Sequence, residues 1–411
     1  MHQNRVTGAS RSTRWLSVTI GVISSLLLML GADNGNLHAQ TPTGSTPNAN
    51  LKLVTTGLNN PRGLKFGPDG NLYVAEAGLG GDTSTVGQCQ QAGPEVGPYK
   101  GGNTARISKI DPTGVRTTVA DNLPSAQDIM GGMIGVADVA FVKDQLYALI
   151  GGAGCSHGHT DRNNGVYKVN KDGSITLVAD ISAFMKANPV AVPDEADFEP
   201  DGSLYSLIAW KGDLYVVEAN GGQLLKVTLD GQITRIIDFS KEYEHNVPTV
   251  VAVHDAKFWV GNLGEFDPGA PQPAIYRVKA NGKSRAFIPN LDRILGLIYE
   301  NGGRLFVLEP FGNGGQAPGA GQVLRIRPST QQTITIASGL TFPTGLTSGP
   351  KGDLYVSNKG FGGGPGEGEV VRIQLSQQAQ AMSMADAAAD FADSDETPDV
   401  QSQLFLPLVK Q

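Results

Sequence analysis

The sequence contains little cysteine, few aromatic residues and no surplus of positive charge. Only two of the 411 residues are cysteine, 7% are aromatic, and the formal net charge is -7. Proteins that bind nucleic acids present a basic surface, so this charge argues against nucleic acid as a partner. Beyond the N-terminal region, no run of residues reaches the roughly 20 apolar residues that a membrane helix needs. We therefore expect no membrane span in the mature chain.

The N-terminal residues have the features of a secretory signal peptide. Arg5, Arg11 and Arg14 precede a short apolar run, and no acidic residue occurs before Asp33. Ala39 follows as a small residue at a suitable cleavage position. A basic start, an apolar segment and a small-residue exit are typical of exported proteins. We expect a signal peptide over 1–39, a disordered linker over 40–50, and a secreted or extracytoplasmic mature protein.

The C-terminal residues differ in composition from the rest of the chain. Residues 376–400 are rich in Ala, Ser, Asp and Gln and carry almost no large apolar residue. Such a segment cannot bury enough surface to offset its conformational entropy, which predicts a linker. Residues 401–411 then form an apolar tail, either a strand that folds back or a sorting and anchoring segment. Through such a tail the protein could associate with the cell surface.

Between these ends, one short pattern recurs and predicts the fold. A turn, then Leu or Phe, an aromatic residue and usually Val occur in six places, as in "DGNLYVAEAG" from Asp69 and "GDLYVVEANGG" from Gly212. Each copy follows an apolar segment, and most are followed by two more segments with alternating apolar and polar residues. This alternation predicts strands, and the Asp-Gly and Asn-Gly pairs between them predict hairpin turns. The 54 glycines fit a chain with many turns.

The repeats predict an all-β fold, a six-bladed β-propeller with four-stranded antiparallel blades, over residues 51–375. The sixth unit is incomplete, because no fourth strand follows "EVVRIQL", which ends at Leu375. The missing strand is at the other end, since "LKLVTTGL" at 51–58 matches "TITIASGL" at 333–340. We therefore expect the N-terminal strand to join the last blade and close the ring, which removes open sheet edges.

The repeats resemble NHL-type blades, through "NPRGL" at 60–64, "DGNLYVA" at 69–75 and "FPTGL" at 342–346. More narrowly, residues 51–375 resemble the ScyD/ScyE family, secreted propellers named from the scytonemin pigment clusters. "GLNNPRGLKFGPDGNLYVAEAG", "SLYSLIAWKGDLYVVEANGGQLLKV" and "LTFPTGLTSGPKGDLYVSNKG" carry this resemblance. It implies an exported six-bladed protein and no particular chemistry.

A more distant resemblance is to the gluconolactonase and senescence-marker propellers, which bind a divalent metal in the central channel. That family has Glu-Gly-Pro where this chain has Asn60, Pro61 and Arg62. The difference weakens the expectation of a lactonase-type cation such as calcium, and we assign no metal ligands. Fold alone does not establish function.

Candidate ligand-binding residues follow from the propeller geometry, in which loops between second and third strands share one face with the links between blades. The residue two positions after the repeated "LYV"-like motif is acidic or an amide in five of six units: Glu76, Glu218, Asn262, Glu309 and Asn358, with Ile150 as the exception. Carboxylates on one ring would repel, and so acquire raised pKa values, bind a cation or pair with an arginine. Arg62, Asp138 and Asp201 lie near inner-strand starts and complete the candidate set. Alternatively, these polar side chains only cap turns and satisfy loop amides.

The two cysteines lie in long insertions of neighbouring blades. Cys89 belongs to blade one and Cys155 to "GAGCSHGHTDRNNG" in blade two. In an exported chain this favours a disulfide between Cys89 and Cys155, which the loop-entropy model values at roughly 3–4 kcal/mol. A metal site of Cys155, His157, His159 and Asp161 and a reactive thiol are the alternatives.

We therefore expect a monomeric secreted propeller that binds an unknown small molecule, glycan or protein on its loop-decorated face. The alternative is a metal-dependent, lactonase-like hydrolase with its site at the mouth of the channel. A sugar oxidoreductase with a quinone cofactor is a third hypothesis, suggested by fold analogy alone.

Overall fold

The computed structural model describes residues 50–243, 245–265, 272–300, 303–312 and 315–375. The expected signal peptide (1–39), the linker at 376–400 and the tail at 401–411 lie outside these residues. Of the expected linker at 40–50, only Asn50 is described, and it is the first residue of strand β1 (Asn50–Leu58).

The described residues form six antiparallel sheets, which confirms the predicted six-bladed propeller. Blade one contains β2 (Pro61–Phe66), β3 (Leu72–Glu76), β4 (Lys100–Ile110), β5 (Arg116–Gln127) and a short β6 (Met133–Ile134). Blade two contains β7 (Val136–Val142), β8 (Gln145–Ile150), β9 (Gly165–Val169) and β10 (Ile175–Asp180). Blade three contains β11 (Leu204–Trp210), β12 (Asp213–Glu218), β13 (Gln223–Val227) and β14 (Ile233–Asp238).

The other three blades have the predicted four strands. Blade four contains β15 (Pro248–His254), β16 (Lys257–Asn262), β17 (Ile275–Lys279) and β18 (Ser284–Ile288). Blade five contains β19 (Gly296–Glu300), β20 (Arg304–Glu309), β21 (Gly321–Ile326) and β22 (Thr333–Leu340). Blade six contains β23 (Gly345–Ser348), β24 (Leu354–Asn358), β25 (Gly368–Gln374) and β1. Blade one thus differs from the prediction only by its additional strand β6.

The N-terminal strand closes the ring as predicted. β1 pairs antiparallel with β25, from Asn50 opposite Gln374 to Leu58 opposite Gly368. The innermost strands contact one another in the circular order β2, β7, β11, β15, β19, β23 and back to β2. The inner strands approach closely where a residue is small: a Cβ added at Gly63 would lie 1.9 Å from Oδ1 of Asp138 in the next blade.

Apolar side chains from adjacent blades form the core, and two helices add to it. Helix α1 (Ile181–Ala187) begins after Asp180, whose side chain accepts a hydrogen bond from the backbone N–H of Ala183. Its Ile181, Phe184 and Met185 pack between blades two and three. Helix α2 (Ser240–Tyr243) places Tyr243 between blades three and four, beside the buried Phe239. None of the described helices has the length and apolar character needed to cross a membrane.

Candidate functional site

The structure contains the predicted disulfide. Cys89 and Cys155 are joined with an S–S distance of 2.07 Å. Cys89 lies between β3 and β4, and Cys155 begins a short 3-10 helix (Cys155–His157) between β8 and β9. The hydroxyl of Thr85 also donates to the backbone oxygen of Cys155. The two insertions therefore form one connected cover over the loop-decorated face of blades one and two.

A fully buried histidine lies under this cover. Nδ1 of His157 is 2.7 Å from the backbone oxygen of Ala153, and Nε2 is 3.3 Å from Oε2 of Glu199. Because a carbonyl oxygen only accepts, Nδ1 of His157 donates in the contact with Ala153. The edge of the Tyr99 ring packs on the imidazole with centroids 4.7 Å apart. Burial and the charge of Glu199 raise the pKa of Tyr99 well above its usual value.

Asp201 joins the disulfide loop to helix α1. Its Oδ2 accepts hydrogen bonds of 2.7 Å from the backbone N–H and the hydroxyl of Ser156, and its Oδ1 accepts one of 2.7 Å from Lys186. Burial raises the pKa of Asp201, but the hydrogen bonds from Lys186 and Ser156 outweigh it and bring the pKa below the usual value. The structure therefore places this candidate residue inside the loop scaffold.

The residues of the alternative metal site do not converge. Cys155 is in the disulfide, and His157 contacts Glu199. Nε2 of His159 lies 3.2 Å from the backbone oxygen of Ser125, while Asp161 is exposed beside Arg162. Within the described residues, no group of three or more His, Cys, Asp or Glu side chains is arranged to hold a metal ion.

The strand-end glutamates accept hydrogen bonds inside their own blades. In blade three, the carboxylate of Glu218 accepts from the backbone N–H groups of Ser203 and Gly221 and from the amide of Gln223, at 2.9–3.2 Å. In blade five, Glu309 accepts from the backbone N–H of Asp292 at 2.9 Å and from the amide of Gln322 at 2.8 Å. Burial raises the pKa of Glu218, and it raises the pKa of Glu309 to about 6.

The equivalent residues of three other blades make contacts of the same kind. Glu76 accepts from the backbone N–H of Asn59 at 2.6 Å and from Nε of Arg106 at 2.8 Å. Asn262 donates to the backbone oxygen of Asn246 and Asn358 accepts from the backbone N–H of Thr341.

We call these five side chains the strand-end clamps: Glu76, Glu218, Asn262, Glu309 and Asn358. Each links the residues that lead into the inner strand to the end of the second strand. The structure places them in one repeated position, each bonded within its own blade, and their role in binding a ligand stays a prediction.

The remaining candidates, Arg62 and Asp138, lie on inner strands. The guanidinium of Arg62 donates to the backbone oxygen of Met133 and lies 5.9 Å from the centroid of the Tyr205 ring. Asp138 is buried, and its Oδ2 accepts from the backbone N–H of Leu207 on β11 at 2.8 Å. Burial raises the pKa of Asp138. Asp138 thus connects the inner strands of blades two and three.

The cavity beside Arg62 is small. It has a volume of about 30 Å³ and is lined by residues that include Ala137 of β7, Tyr205 of β11 and Thr344, which directly precedes β23. A cavity needs roughly 10–15 Å³ of this measure to hold one water, so the space accommodates little more than a single water molecule. This cavity is therefore too small for a sugar-sized molecule.

Sequence reasoning missed three exposed apolar side chains beside this mouth. Ile129, Met130 and Phe361 are 55%, 59% and 45% exposed, and we call them the mouth patch. Oδ1 of Asp128 fixes the turn by accepting from the backbone N–H groups of Met130 and Gly132, at 2.8 and 2.7 Å. A Cβ at Gly132 would lie 3.0 Å from the Phe361 ring, so the turn rests against this side chain. The signal was present in "QDIMGGM", where two large apolar residues occupy a turn.

Comparisons with known proteins identify the fold and no family. No protein-family model matches the chain, and no curated protein matches it. A structural genomics protein of unknown function from Bacteroides thetaiotaomicron is similar, with a TM-score of 0.51 and 10% identity over 79% of this chain and 76% of that one. The PQQ-bound aldose sugar dehydrogenase of Streptomyces coelicolor has a TM-score of 0.50 and 13% identity over 81% of this chain and 100% of that one. A Xanthomonas campestris gluconolactonase has a TM-score of 0.48 and 11% identity over 80% and 91% of the respective chains. At these identities the likeness shows the propeller fold alone.

Proposed function

We propose that the chain is a secreted propeller of the ScyD/ScyE type that binds a partner on its loop-decorated face. One observation carries this proposal: the mouth patch exposes three large apolar side chains on that face, two of them in a turn that Asp128 fixes. Clustered exposed apolar side chains are typical of interaction surfaces. The partner would present an apolar group to Ile129, Met130 and Phe361.

The contacts around the mouth favour binding over chemistry. The clamp carboxylates accept hydrogen bonds from their own blades, and the adjacent cavity holds about 30 Å³. Arg62 adds a positive charge beside this cavity, which disfavours a cation there. These residues do not fit a calcium ion in the channel, so we derive no reaction step through one. The likeness to the dehydrogenase likewise supports the fold, and we propose no quinone site.

Export is part of the proposal. A disulfide joins two surface loops, and disulfides persist in oxidising compartments. The expected signal peptide at 1–39 agrees with this location. A free-thiol count on protein purified from the culture medium tests it, because export of the folded protein predicts no titratable thiol at either Cys89 or Cys155.

A pair of double variants tests the proposed face. Met130→Asp with Phe361→Asp replaces two members of the mouth patch by carboxylates, which are costly to bury against an apolar partner. The matched control is Val115→Asp with Leu229→Asp, since these two side chains are also exposed, at 59% and 43%. Both control residues lie in hairpins between third and fourth strands, at the opposite ends of the blades.

The measurement is quantitative capture of partners on immobilised protein from an extract and culture medium of the producing cells. The proposal predicts that the wild type and the control double variant retain the same molecule, and that the mouth-patch variant loses it. Equal retention by all three proteins would contradict the mouth patch as the contact. Turnover of lactones by the purified wild type, abolished by chelator, would instead favour the hydrolase.

A further inference from the structure

A second surface feature lies away from the mouth patch, at the outer rim between blades one and two. It is a groove of about 580 Å³, within the range of roughly 300–1,000 Å³ that is usual for ligand sites. One wall is the end of β5, at Asp121 and Asn122. The other wall is the loop 160–163, which follows the disulfide-linked Cys155, and Ser174 of the turn between β9 and β10 closes the lower end.

The repeat itself explains why this groove is open. Asp121, Asp180 and Asp238 occupy equivalent positions in the fourth strands of blades one, two and three; Asp180 and Asp238 are the last residues of β10 and β14, and Asp121 lies within β5. The next residue is Ile181 in blade two and Phe239 in blade three, and both are fully buried. Helix α1 begins at Ile181 and helix α2 directly after Phe239, and their side chains pack into the two corresponding interfaces between blades.

Blade one departs from this arrangement at the same position. Its residue is Asn122, which is exposed and has a left-handed backbone with φ of 52°. The chain then continues as a strand to Gln127, so no α-helix follows this position as it does in blades two and three. The matching side chains show the consequence. Tyr276 of blade four packs against Tyr243 of α2 with ring centroids 4.5 Å apart, whereas the equivalent Tyr167 of blade two lines the open groove.

The lining combines an apolar floor with a polar rim. Leu123, Tyr167, Ile175 and Leu177 provide the floor, and Leu177 is 46% exposed. The rim consists of short polar or planar side chains: Asp121, Asn122, Thr160, Asp161, Arg162, Asn163 and Ser174. A pyranose ring matches such a surface, because its C–H face packs on apolar side chains while its hydroxyls donate to carboxylates and accept from amides and guanidinium groups.

Charge narrows the class of ligand further. The ionisable rim residues are two carboxylates, Asp121 and Asp161, and one guanidinium, Arg162. Asp161 and Arg162 lie 3.6 Å apart and largely offset each other. Tyr167 stays neutral, because burial and the charge of Asp180 raise its pKa to about 12. The groove thus has a slight negative charge, which disfavours an anionic ligand.

We propose that the groove between blades one and two binds a neutral oligosaccharide. The site is separate from the mouth patch, so it does not depend on the function proposed above. The ring of the sugar would pack on Leu177 and the edge of Tyr167, with Asn122, Arg162 and Thr160 contacting its hydroxyls.

Two blocking variants and one matched control test the proposal. Ser174→Trp fills the lower end of the groove and Thr160→Trp the upper end. Gln232→Trp is the control, because Gln232 is the exposed residue at the same position of the equivalent hairpin in blade three, with the same turn hydrogen bonds. The probes are cellohexaose, maltohexaose, laminarihexaose, mannohexaose and chitohexaose, titrated by calorimetry against the full mature chain. Thermal unfolding verifies that each variant is folded.

The proposal predicts that at least one of these oligosaccharides binds the wild type. Ser174→Trp and Thr160→Trp should each weaken that binding by about tenfold or more. Gln232→Trp and the mouth-patch double variant should leave it unchanged. Absence of binding to the wild type for every probe would overturn the proposal, as would equal binding by the control and both blocking variants.

Discussion

At the scale of the residue, each strand-end clamp is a polar side chain at a position expected for a ligand-binding group. Each makes hydrogen bonds within its own blade. Glu218 and Glu309 are at most 2% exposed, and each oxygen faces donors of its own blade. Burying a carboxylate without such donors would cost several kcal/mol, and these hydrogen bonds offset that cost. The clamps thereby hold the entry to each inner strand beside the end of the second strand.

The clamp at Glu218 has a direct consequence for stability. Glu218→Ala leaves the backbone N–H groups of Ser203 and Gly221 and the amide of Gln223 without their acceptor. We expect the free energy of unfolding, measured by urea denaturation, to fall by about 3 kcal/mol. Asp144→Ala is the control, since Asp144 is exposed in the turn between β7 and β8, and it should change this value by less than about 0.5 kcal/mol. Equal stabilities of the two variants would show that Glu218 does not fasten the blade.

Glu309 predicts a specific dependence of stability on pH. Burial raises its pKa in the folded protein to about 6, from 4.5. Between these pH values Glu309 binds more protons in the folded state than in the unfolded state. The contribution of Glu309 to the free energy of unfolding is therefore greatest below about pH 4.5 and falls as pH rises to about 6. The difference amounts to about 2 kcal/mol at most.

The variant Glu309→Gln isolates this effect, because it keeps an acceptor for the N–H of Asp292 but cannot ionise. The unfolding free energy of the variant minus that of the wild type should increase as pH rises from 4.5 to 6, because only the wild type loses stability in this range. The other buried carboxyl groups titrate in both proteins and cancel in this comparison. A constant difference across the range would contradict the raised pKa of Glu309.

At the scale of the element, the disulfide and the short 3-10 helix after it organise the loops of blades one and two. The bridge spans 66 residues of sequence, and the helix delivers His157 to Glu199 and Tyr99. Asp201 extends the same connection to α1 through Ser156 and Lys186. Loops without regular structure are in this way held in one arrangement.

Removing the bridge tests this arrangement. The double variant Cys89→Ser with Cys155→Ser should lose about 4 kcal/mol of unfolding free energy by the chain-entropy model, since it frees a long loop. Hydrogen exchange should also become faster at residues 83–89 and 154–159. Reduction of the wild type without alkylation provides the matched comparison. If stability and exchange were unchanged, the bridge would not be what holds these loops.

Close contact between inner strands supplies a second test at this scale. A Cβ at Gly63 would meet Asp138 at 1.9 Å from Oδ1 and 2.8 Å from Cα, so Gly63→Ala forces β2 and β7 apart. We expect a loss of about 3 kcal/mol in unfolding free energy, at the upper end for overpacking. Gly315→Ala is the control, because its nearest neighbour would be 3.6 Å away. Urea denaturation measures both variants, and equal unfolding free energies would contradict the tight approach of blades one and two.

At the scale of the whole molecule, the period of the repeat was enough to predict the ring. The six "LYV"-like copies and the match of 51–58 to 333–340 predicted the blades and the pairing of β1 with β25, which the structure confirms. The disulfide followed from two cysteines in equivalent insertions. These features depend on local patterns, which a sequence displays directly.

Features that depend on contacts between distant segments could not be predicted in this way. Phe184 of α1 and Tyr243 of α2 pack into two interfaces between blades, and these interfaces exist only in the assembled ring. Burial of His157 depends on Glu199 and Tyr99, which are remote in sequence. For the clamps, the position in the strand predicted that the side chains share one face. It did not predict which groups each side chain would hydrogen-bond.

The central claim is that the loop-decorated face is the binding surface, and hydrogen–deuterium exchange on the complex tests it most directly. The partner captured by the wild type would be added back to the purified chain, and exchange would be compared with that of the free protein. The account predicts slower exchange at 128–133 and 359–362, around Met130 and Phe361, and no change in the hairpins at 113–116 and 228–232. Protection of those hairpins, with unchanged exchange at 128–133 and 359–362, would contradict it.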